Sequence, residues 1–292
     1  MNGAGPALRA ALRAAGVDAS GADARPLTGG VVSEVWLLTW PDGTRLVAKH
    51  AAGAPPGLYP AEAAGLRALA DDGGLTVPEV RHAGDRLLLM QAMAAKDPAR
   101  RPAFWAEAGR ALARLHTVRG PRHGWYRDGW LGLLPQRNAW ADDGYEFYAT
   151  RRILRYLPEP RAVAALTAAD RAAIERICAR LPAFVPPTPA VLTHGDLWHA
   201  NIVATAEGAP AFIDPAVSFT WPDVDLSMFH ASAAPADADR FFGAYAELRP
   251  LGDGWRDRME VLFLRELLST VAHEDDCAGA LARLRRITAR YV

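Results

Sequence analysis

Lysine is almost missing from this sequence. Of its 33 lysine and arginine residues only two, Lys49 and Lys96, are lysine, and the other 31 are arginine. Such a bias reflects coding composition, so a lysine that is kept carries information. Its compact charge on a flexible stem is not replaced by a planar guanidinium at a phosphate site. Cysteine is equally scarce. Cys178 and Cys277 lie far apart in helical patterns, which suits ordinary thiols in a reducing cytoplasm better than a disulfide or metal site. Charge excess is missing too: 33 acidic residues balance the 33 basic ones at a pI near 7.1, without the basic footprint of a nucleic-acid binder. No run of about 18 apolar residues occurs, so no membrane span is expected. The N-terminal MNGAGPALRAALRAAG interrupts its apolar pattern with Arg9 and Arg13 and reads as a short amphipathic helix rather than a signal peptide. A cytoplasmic protein with neither nucleic-acid nor membrane partners is predicted.

What is present is enough apolar sequence, 50% of 292 residues, for a sizeable core in one domain or two lobes. From Pro26 to Lys49 the pattern is strand-like around the turn Pro41-Asp42-Gly43. After a loop from Gly53 to Pro60, AEAAGLRALADDGG is helical in composition and closed by Gly73 and Gly74. VPEVRHAG and DRLLLMQAM then read as a strand pair. This order predicts an antiparallel sheet with one packed helix. Beyond about residue 94 helical spacing dominates, in FWAEAGRALARLHTV, EFYATRRILRYL, TAADRAAIERICARL, VLFLRELLSTVAH and CAGALARLRRITARYV. An ordered loop is expected from Gly120 to Gly144, and two short strands in VLTHGDLWHANIV and APAFIDPAV. The fold class predicted is α+β, with a β-rich lobe over residues 1–93 and a larger, mainly helical lobe over 94–292. A cleft between two lobes is a favoured ligand site.

Chemistry concentrates in a few stretches. HGDLWHAN, from His194 to Asn201, has the spacing of H-R-D-L-x-x-x-N in protein kinases, where the Asp is the base toward a substrate hydroxyl and the Asn binds magnesium. Asp214 in AFIDPA stands where the kinase D-F-G aspartate stands, so Asn201 and Asp214 would offer oxygen ligands to Mg²⁺. Taken singly, these residues are ordinary turn formers; taken together they favour phosphoryl transfer. Lys49 ends LVAK, matching the strand lysine that pairs nucleotide phosphates, with Glu62 early in the next helix as its partner. Gly29, Gly30 and Ser33 lie at a strand turn where backbone N–H groups could approach phosphate oxygens. Gln91 and Met93 close the apolar strand LLLMQAM at the lobe junction, where a kinase-like fold contacts adenine.

The chain resembles the fructosamine kinase (ketosamine kinase) family, a branch of the aminoglycoside phosphotransferase-like kinases with a protein-kinase-like fold. HGDLW followed by IDPA carries the likeness, and above all GLLPQRNAWADDGYEFYATRRI, similar to a family pattern P-Q-x-N-x-W followed by paired arginines. The resemblance runs from about Leu27 to the C-terminal helices. It implies ATP- and Mg²⁺-dependent phosphorylation of a sugar hydroxyl on a ketoamine, free or protein-bound. Asp196 is implied as base, Asn201 and Asp214 as metal ligands, and Lys49 with Glu62 at the phosphates. Gln136, Asn138, Trp140, Arg152 and Trp198 are implied around the substrate, and Asp225 as a brace of the catalytic loop. Two departures stand out. His199-Ala200 replaces the small residues that usually follow HGDLW, and Val31 stands where some relatives carry a cysteine.

Other readings are an aminoglycoside or other small-metabolite phosphotransferase, and, from another class, a nucleotide-binding pseudokinase. Polycationic aminoglycosides call for a strongly acidic pocket, whereas Asp142-Asp143 is the one acidic pair in the suspected substrate loop and Arg151-Arg152 lies nearby. A protein kinase is disfavoured because about ten residues separate Asp214 from Asp225, with no A-P-E after them. A monomer and a homodimer fit equally well.

Overall fold

The computed structural model describes residues 3, 5–27, 32–274 and 276–291. The calls on Gly29 and Gly30, and the position Val31, lie outside the described residues. In the N-terminal part, β1 (Asp23–Leu27), β2 (Glu34–Thr39), β3 (Arg45–His50), β4 (Val80–Ala83) and β5 (Leu87–Gln91) form one sheet in the order β1-β2-β3-β5-β4. Every pairing is antiparallel. The Pro41-Asp42-Gly43 turn joins β2 to β3, with Gly43 at φ 87°, a left-handed geometry that a side chain would strain.

Period-2 geometry explains why β5 reads LLLM without alternation. Leu87 and Leu89 face one side and pack with Leu8 and Leu12 of α1 (Pro6–Ala14). Leu88 and Met90 face the other and pack with Leu58, Tyr59, Ala63 and Leu66 of α2 (Leu58–Asp71). Successive strand residues point to opposite faces, so a strand covered on both sides must be apolar throughout. The expected packed helix is α2; the amphipathic N-terminal helix adds a second layer opposite it. The helix α2 also starts earlier than expected, taking Leu58 to Pro60 from the loop, because proline is tolerated in a first turn, where the N–H has no intrahelical partner.

The larger part carries α3 (Arg101–Leu115), α4 (Gly144–Tyr148), α5 (Pro160–Ala165), α6 (Ala168–Ala179), α7 (Leu181–Phe184), α8 (Asp223–Ser232), α9 (Pro235–Leu248), α10 (Trp255–Leu262), α11 (Leu264–His273) and α12 (Ala278–Tyr291). Four expectations need correction. The Gly120–Gly144 loop contains a hairpin, β6 (Gly129–Leu131) with β7 (Leu134–Gln136). Four short strands, not two, surround the catalytic motif. They pair antiparallel as β8 (Val191–Thr193) with β11 (Ser218–Thr220), and β9 (Ile202–Ala204) with β10 (Pro210–Phe212). EFYATRRILRYL is not one α-helix: α4 passes into a π-helical turn at Ala149–Ile153 and a 3-10 turn at Leu154–Tyr156, a disruption common near functional sites. VLFLRELLSTVAH is likewise split, at Phe263 between α10 and α11.

Candidate active site

Glycine makes the first turn of the site possible. Gly195 adopts φ 81°, and a Cβ there would sit 2.0 Å from the Ala216 carbonyl oxygen, so only glycine fits between β8 and the following loop. The loop is fastened from below by Asp225 near the start of α8. Its buried carboxylate accepts from His194 N at 2.7 Å and Gly195 N at 2.8 Å, and lies 3.2 Å from His116 Nε2. Burial alone would raise the pKa of Asp225, but the His116 contact, the nearby His194 and the Gly195 N–H bond outweigh it and hold the carboxyl below its ordinary value. His116 is in turn fixed by Tyr245 Oη at 2.8 Å. The expected bracing role of Asp225 therefore has a geometry.

His194 has one consistent tautomer. Its Nε2 meets the Ile213 carbonyl at 2.9 Å and must donate, so Nδ1 accepts from Asp196 N at 3.2 Å. This assignment follows from partner chemistry. Burial lowers the pKa of His194, in keeping with a neutral ring that locks the two aspartate-bearing loops together. A role as metal ligand has no support, since both nitrogens are used internally.

Asp196 and Asn201 meet as their spacing predicted. Asn201 Nδ2 donates to the Asp196 carbonyl at 2.8 Å and lies 3.3 Å from its carboxylate Oδ2. Burial, reinforced by the Glu266 carboxylate and opposed by Arg265, pushes the Asp196 carboxyl up to about 8. A raised proton affinity makes the ionised carboxylate a stronger proton acceptor than an ordinary aspartate.

From β3, Lys49 Nζ donates to Glu62 Oε1 at 2.6 Å and to Asp214 Oδ1 at 2.5 Å. Burial works against the ammonium, but the Asp214 and Glu62 carboxylates outweigh it and hold its pKa above the ordinary lysine value. Asp214 is the one non-glycine among the described residues at positive φ, 57°. That left-handed conformation is tolerated by Asp better than by most residues, yet it still marks a position held by its surroundings. Ile213 N donates to Asn201 O at 3.0 Å, which ties the two oxygen-bearing loops side by side. With its Nδ2 turned onto Asp196, Asn201 keeps its Oδ1 out of those bonds. An amide oxygen and a part-exposed carboxylate are the hard donors that a small divalent cation takes.

Of the remaining expected site residues, Ser33 Oγ is 2.9 Å from Tyr59 Oη, which ties the residue before β2 to α2. Gln91 ends β5 with its side chain exposed, and its N–H donates to Glu79 O at 2.8 Å. Met93 is half-buried just beyond. Trp198 is 39% exposed at the catalytic loop, an unusual position for so large a ring, and Trp140 stacks on Phe219 at 6.0 Å between ring centroids.

The other expected substrate residues are buried. Gln136 is 2% exposed and spends its amide internally, Nε2 donating to Ala216 O at 2.9 Å and Oε1 accepting from Arg265 at 3.0 Å. Asn138 is buried, donating to Arg127 O at 3.1 Å and accepting from Arg152 Nη2 at 2.5 Å. Arg152 also donates to Arg137 O at 2.9 Å and lies over the Phe147 ring. Buried polar groups must find partners, and these three find one another and the backbone. They hold the loop's shape, with their amide and guanidinium groups turned onto internal partners.

Arg265 was not anticipated. Its buried guanidinium donates to Gly195 O at 2.6 Å and Glu266 Oε1 at 2.6 Å besides Gln136. It joins the P-Q-x-N-x-W loop to the residue preceding Asp196. The signal was present: along α11 the apolar stripe Leu264, Leu268 and Val271 takes in Arg265, a charge where a core residue belongs.

A family model described as Fructosamine kinase matches residues 8–274. The chain is 36% identical over 245 residues to a protein of Thermus thermophilus named as a probable ketoamine kinase, covering 83% of this chain and 84% of that one. It is 28% identical over 228 residues to the chloroplastic protein-ribulosamine 3-kinase of Arabidopsis thaliana, with 73% and 66% covered. A crystal structure from Thermobifida fusca, assigned as a fructosamine-3-kinase, superposes with a TM-score of 0.81 at 31% identity, over 92% of this chain and 93% of that one.

Proposed function

The chain belongs to the fructosamine kinase family, and on that footing we propose that it transfers the γ-phosphoryl group of ATP directly to a sugar hydroxyl of a ketoamine. The observation that carries the reading is the convergence of Lys49 and Glu62 from the N-terminal part on Asp214, whose loop lies beside an Asp196 fastened to Asn201. Asp196 accepts the proton of the attacking hydroxyl, since an elevated proton affinity suits a base that works near neutral pH. Lys49, kept charged by its two carboxylates, meets the nucleotide phosphates, and Glu62 holds it there. Asn201 and Asp214 would hold Mg²⁺ together with phosphate oxygens, and the cation would neutralise charge developing on the transferred group. Positioning and charge neutralisation then do the catalytic work without a covalent enzyme intermediate.

In this reading residues 1–93 form the nucleotide-binding lobe, with Ser33, Gln91 and Met93 lining it, and residues 94–292 carry the catalytic loop. Trp198 and Trp140 offer the aromatic surfaces for the substrate. The names of the Thermus and Arabidopsis relatives favour ketoamines, protein-bound adducts included, over aminoglycosides. Among the described residues no helix is long and apolar enough to cross a membrane. The test is ADP release from Mg-ATP across free and protein-bound fructose-, ribulose- and erythrulose-derived ketosamines, with aminoglycosides as controls. Ketosamine-dependent release supports the proposal; release driven only by aminoglycosides, or none, refutes it.

A further inference from the structure

The second lysine of the chain has no part in the site just described. Lys96 follows β5 on the segment that joins the two lobes. That segment lies against β9, because Ala94 N donates to Ala204 O at 2.7 Å and Ala204 N to Ala94 O at 3.2 Å. From there Lys96 Nζ donates to His199 O at 3.0 Å and to Ile202 O at 2.9 Å. The two carbonyls bracket Ala200 and Asn201, at the 3-10 turn His199–Asn201 that ends in the amide. Beside the same ammonium lies the buried ring of Trp105, its centroid 4.9 Å from Nζ. The other charges bearing on it are Asp237, which favours the cation, and Arg101, which opposes it; these two form their own bidentate pair at 2.7 and 2.5 Å.

This arrangement suits a lysine. A tetrahedral ammonium can direct two N–H donors at two carbonyls and present its remaining face to an aromatic ring. A planar guanidinium has its donors in one plane and cannot meet both carbonyls while keeping the ring contact in the same space. In a chain with 31 arginines, a lysine at this point is the residue the geometry requires. The turn it holds is also secured by His199 N, which donates to Ser232 Oγ at 3.0 Å, and by Asn201 N, which donates to Trp198 O at 2.9 Å.

We propose that Lys96 is a positioning residue that fixes the Asn201 turn, and with it the oxygen offered to the nucleotide-bound cation, from the segment joining the lobes. The proposal rests on the assignment of Asn201 as a cation ligand. Removing the ammonium strips two carbonyls of their charged donor and frees the turn between them, while the nucleotide surfaces of the β-rich lobe keep their shape. Loss should therefore appear in binding of the metal–nucleotide complex and not in binding of nucleotide alone.

The experiment is calorimetric titration of wild type, Lys96→Met, Lys96→Arg and Asn201→Ala with ADP, once with Mn²⁺ and once with EDTA. Melting temperatures are recorded for each. A lost charged hydrogen bond corresponds to about tenfold in an equilibrium constant, so Lys96→Met should bind Mn-ADP about tenfold more weakly and ADP in EDTA as the wild type does. Lys96→Arg keeps a cation near Trp105 and so preserves the fold should Lys96→Met lose it; it should show the same metal-selective loss. Wild-type Mn-ADP affinity in Lys96→Arg, or equal weakening with and without Mn²⁺, would overturn the proposal. Asn201→Ala separates the two ideas. A metal-selective loss there with none in the Lys96 variants sinks the role of Lys96 alone, whereas no loss in Asn201→Ala removes the metal-ligand assignment itself.

Discussion

Replacing Asp225 by asparagine keeps the shape of the side chain and removes one acceptor. The wild-type carboxylate receives two backbone N–H bonds, from His194 at 2.7 Å and Gly195 at 2.8 Å, one on each oxygen. An asparagine has a single acceptor oxygen, so one of these buried N–H groups must face an NH₂. The loss of a charge-assisted bond and the stranding of a buried donor together cost on the order of 2–4 kcal/mol. For a chain of this size that corresponds to a fall in melting temperature of roughly 5–10 °C. The pH dependence is a sharper check. Because the folded pKa of Asp225 is depressed, its stabilisation is fully present above the ordinary carboxylate value of about 4. It is lost only as pH falls through the depressed folded value. Asparagine does not titrate, so the stability gap between the two proteins should stay constant from pH 8 to pH 5 and narrow below about 4. Urea denaturation at a series of pH values measures that gap. A gap under about 0.5 kcal/mol at pH 7, or one that widens as pH falls, would refute the bracing assignment. Turnover should fall further than stability suggests, because the same two N–H groups set the backbone entering Asp196.

The remaining tests address the catalytic residues and the loop. Asp196→Asn should abolish turnover with nucleotide binding nearly intact; wild-type turnover would remove Asp196 from its role as base. The same variant should also be the more stable protein. A folded pKa raised to about 8 means ionisation opposes folding above the unfolded value, so the advantage should be absent near pH 4 and grow steadily as pH rises towards 8. Lys49→Ala leaves Glu62 and Asp214 without their shared cation, so ATP turnover should collapse; an unchanged rate would contradict the phosphate-pairing role. Asn138→Ala should lower unfolding free energy by about 1–3 kcal/mol, since it leaves the buried Arg152 Nη2 without its acceptor. A raised KM for ketoamine with an unchanged melting temperature would instead return Asn138 to the substrate surface.

What could be read in the sequence follows from how locally each feature is encoded. The antiparallel sheet was legible because β2, the Pro41-Asp42-Gly43 turn and β3 are contiguous, and their pattern of side chains and turn residues needs no distant partner. Asp196 and Asn201 were legible for the same reason, five positions apart on one loop. The four short strands around them were not, because three-residue strands carry too few side chains to show a period, and β8 pairs with β11 across 25 residues. The internal partners of Gln136, Asn138 and Arg152 were not legible, because polar residues in a loop read as exposed until the tertiary fold supplies their partners.

Composition held one further signal. Two lysines were kept among 31 arginines, and the argument that singled out Lys49 applied equally to Lys96. It stayed silent because the carbonyls that Lys96 meets lie 103 and 106 residues away, and carbonyl positions leave no trace in side-chain pattern. One of them belongs to His199, where the chain departs from the small residues that usually follow HGDLW. That ring also buries an unpartnered Nδ1, and its pKa is lowered, first by burial and then by the nearby Lys96 cation. A neutral imidazole is the form that can sit beside an ammonium without repelling it. The departure at His199 is therefore compatible with the lysine clasp rather than a defect in the loop.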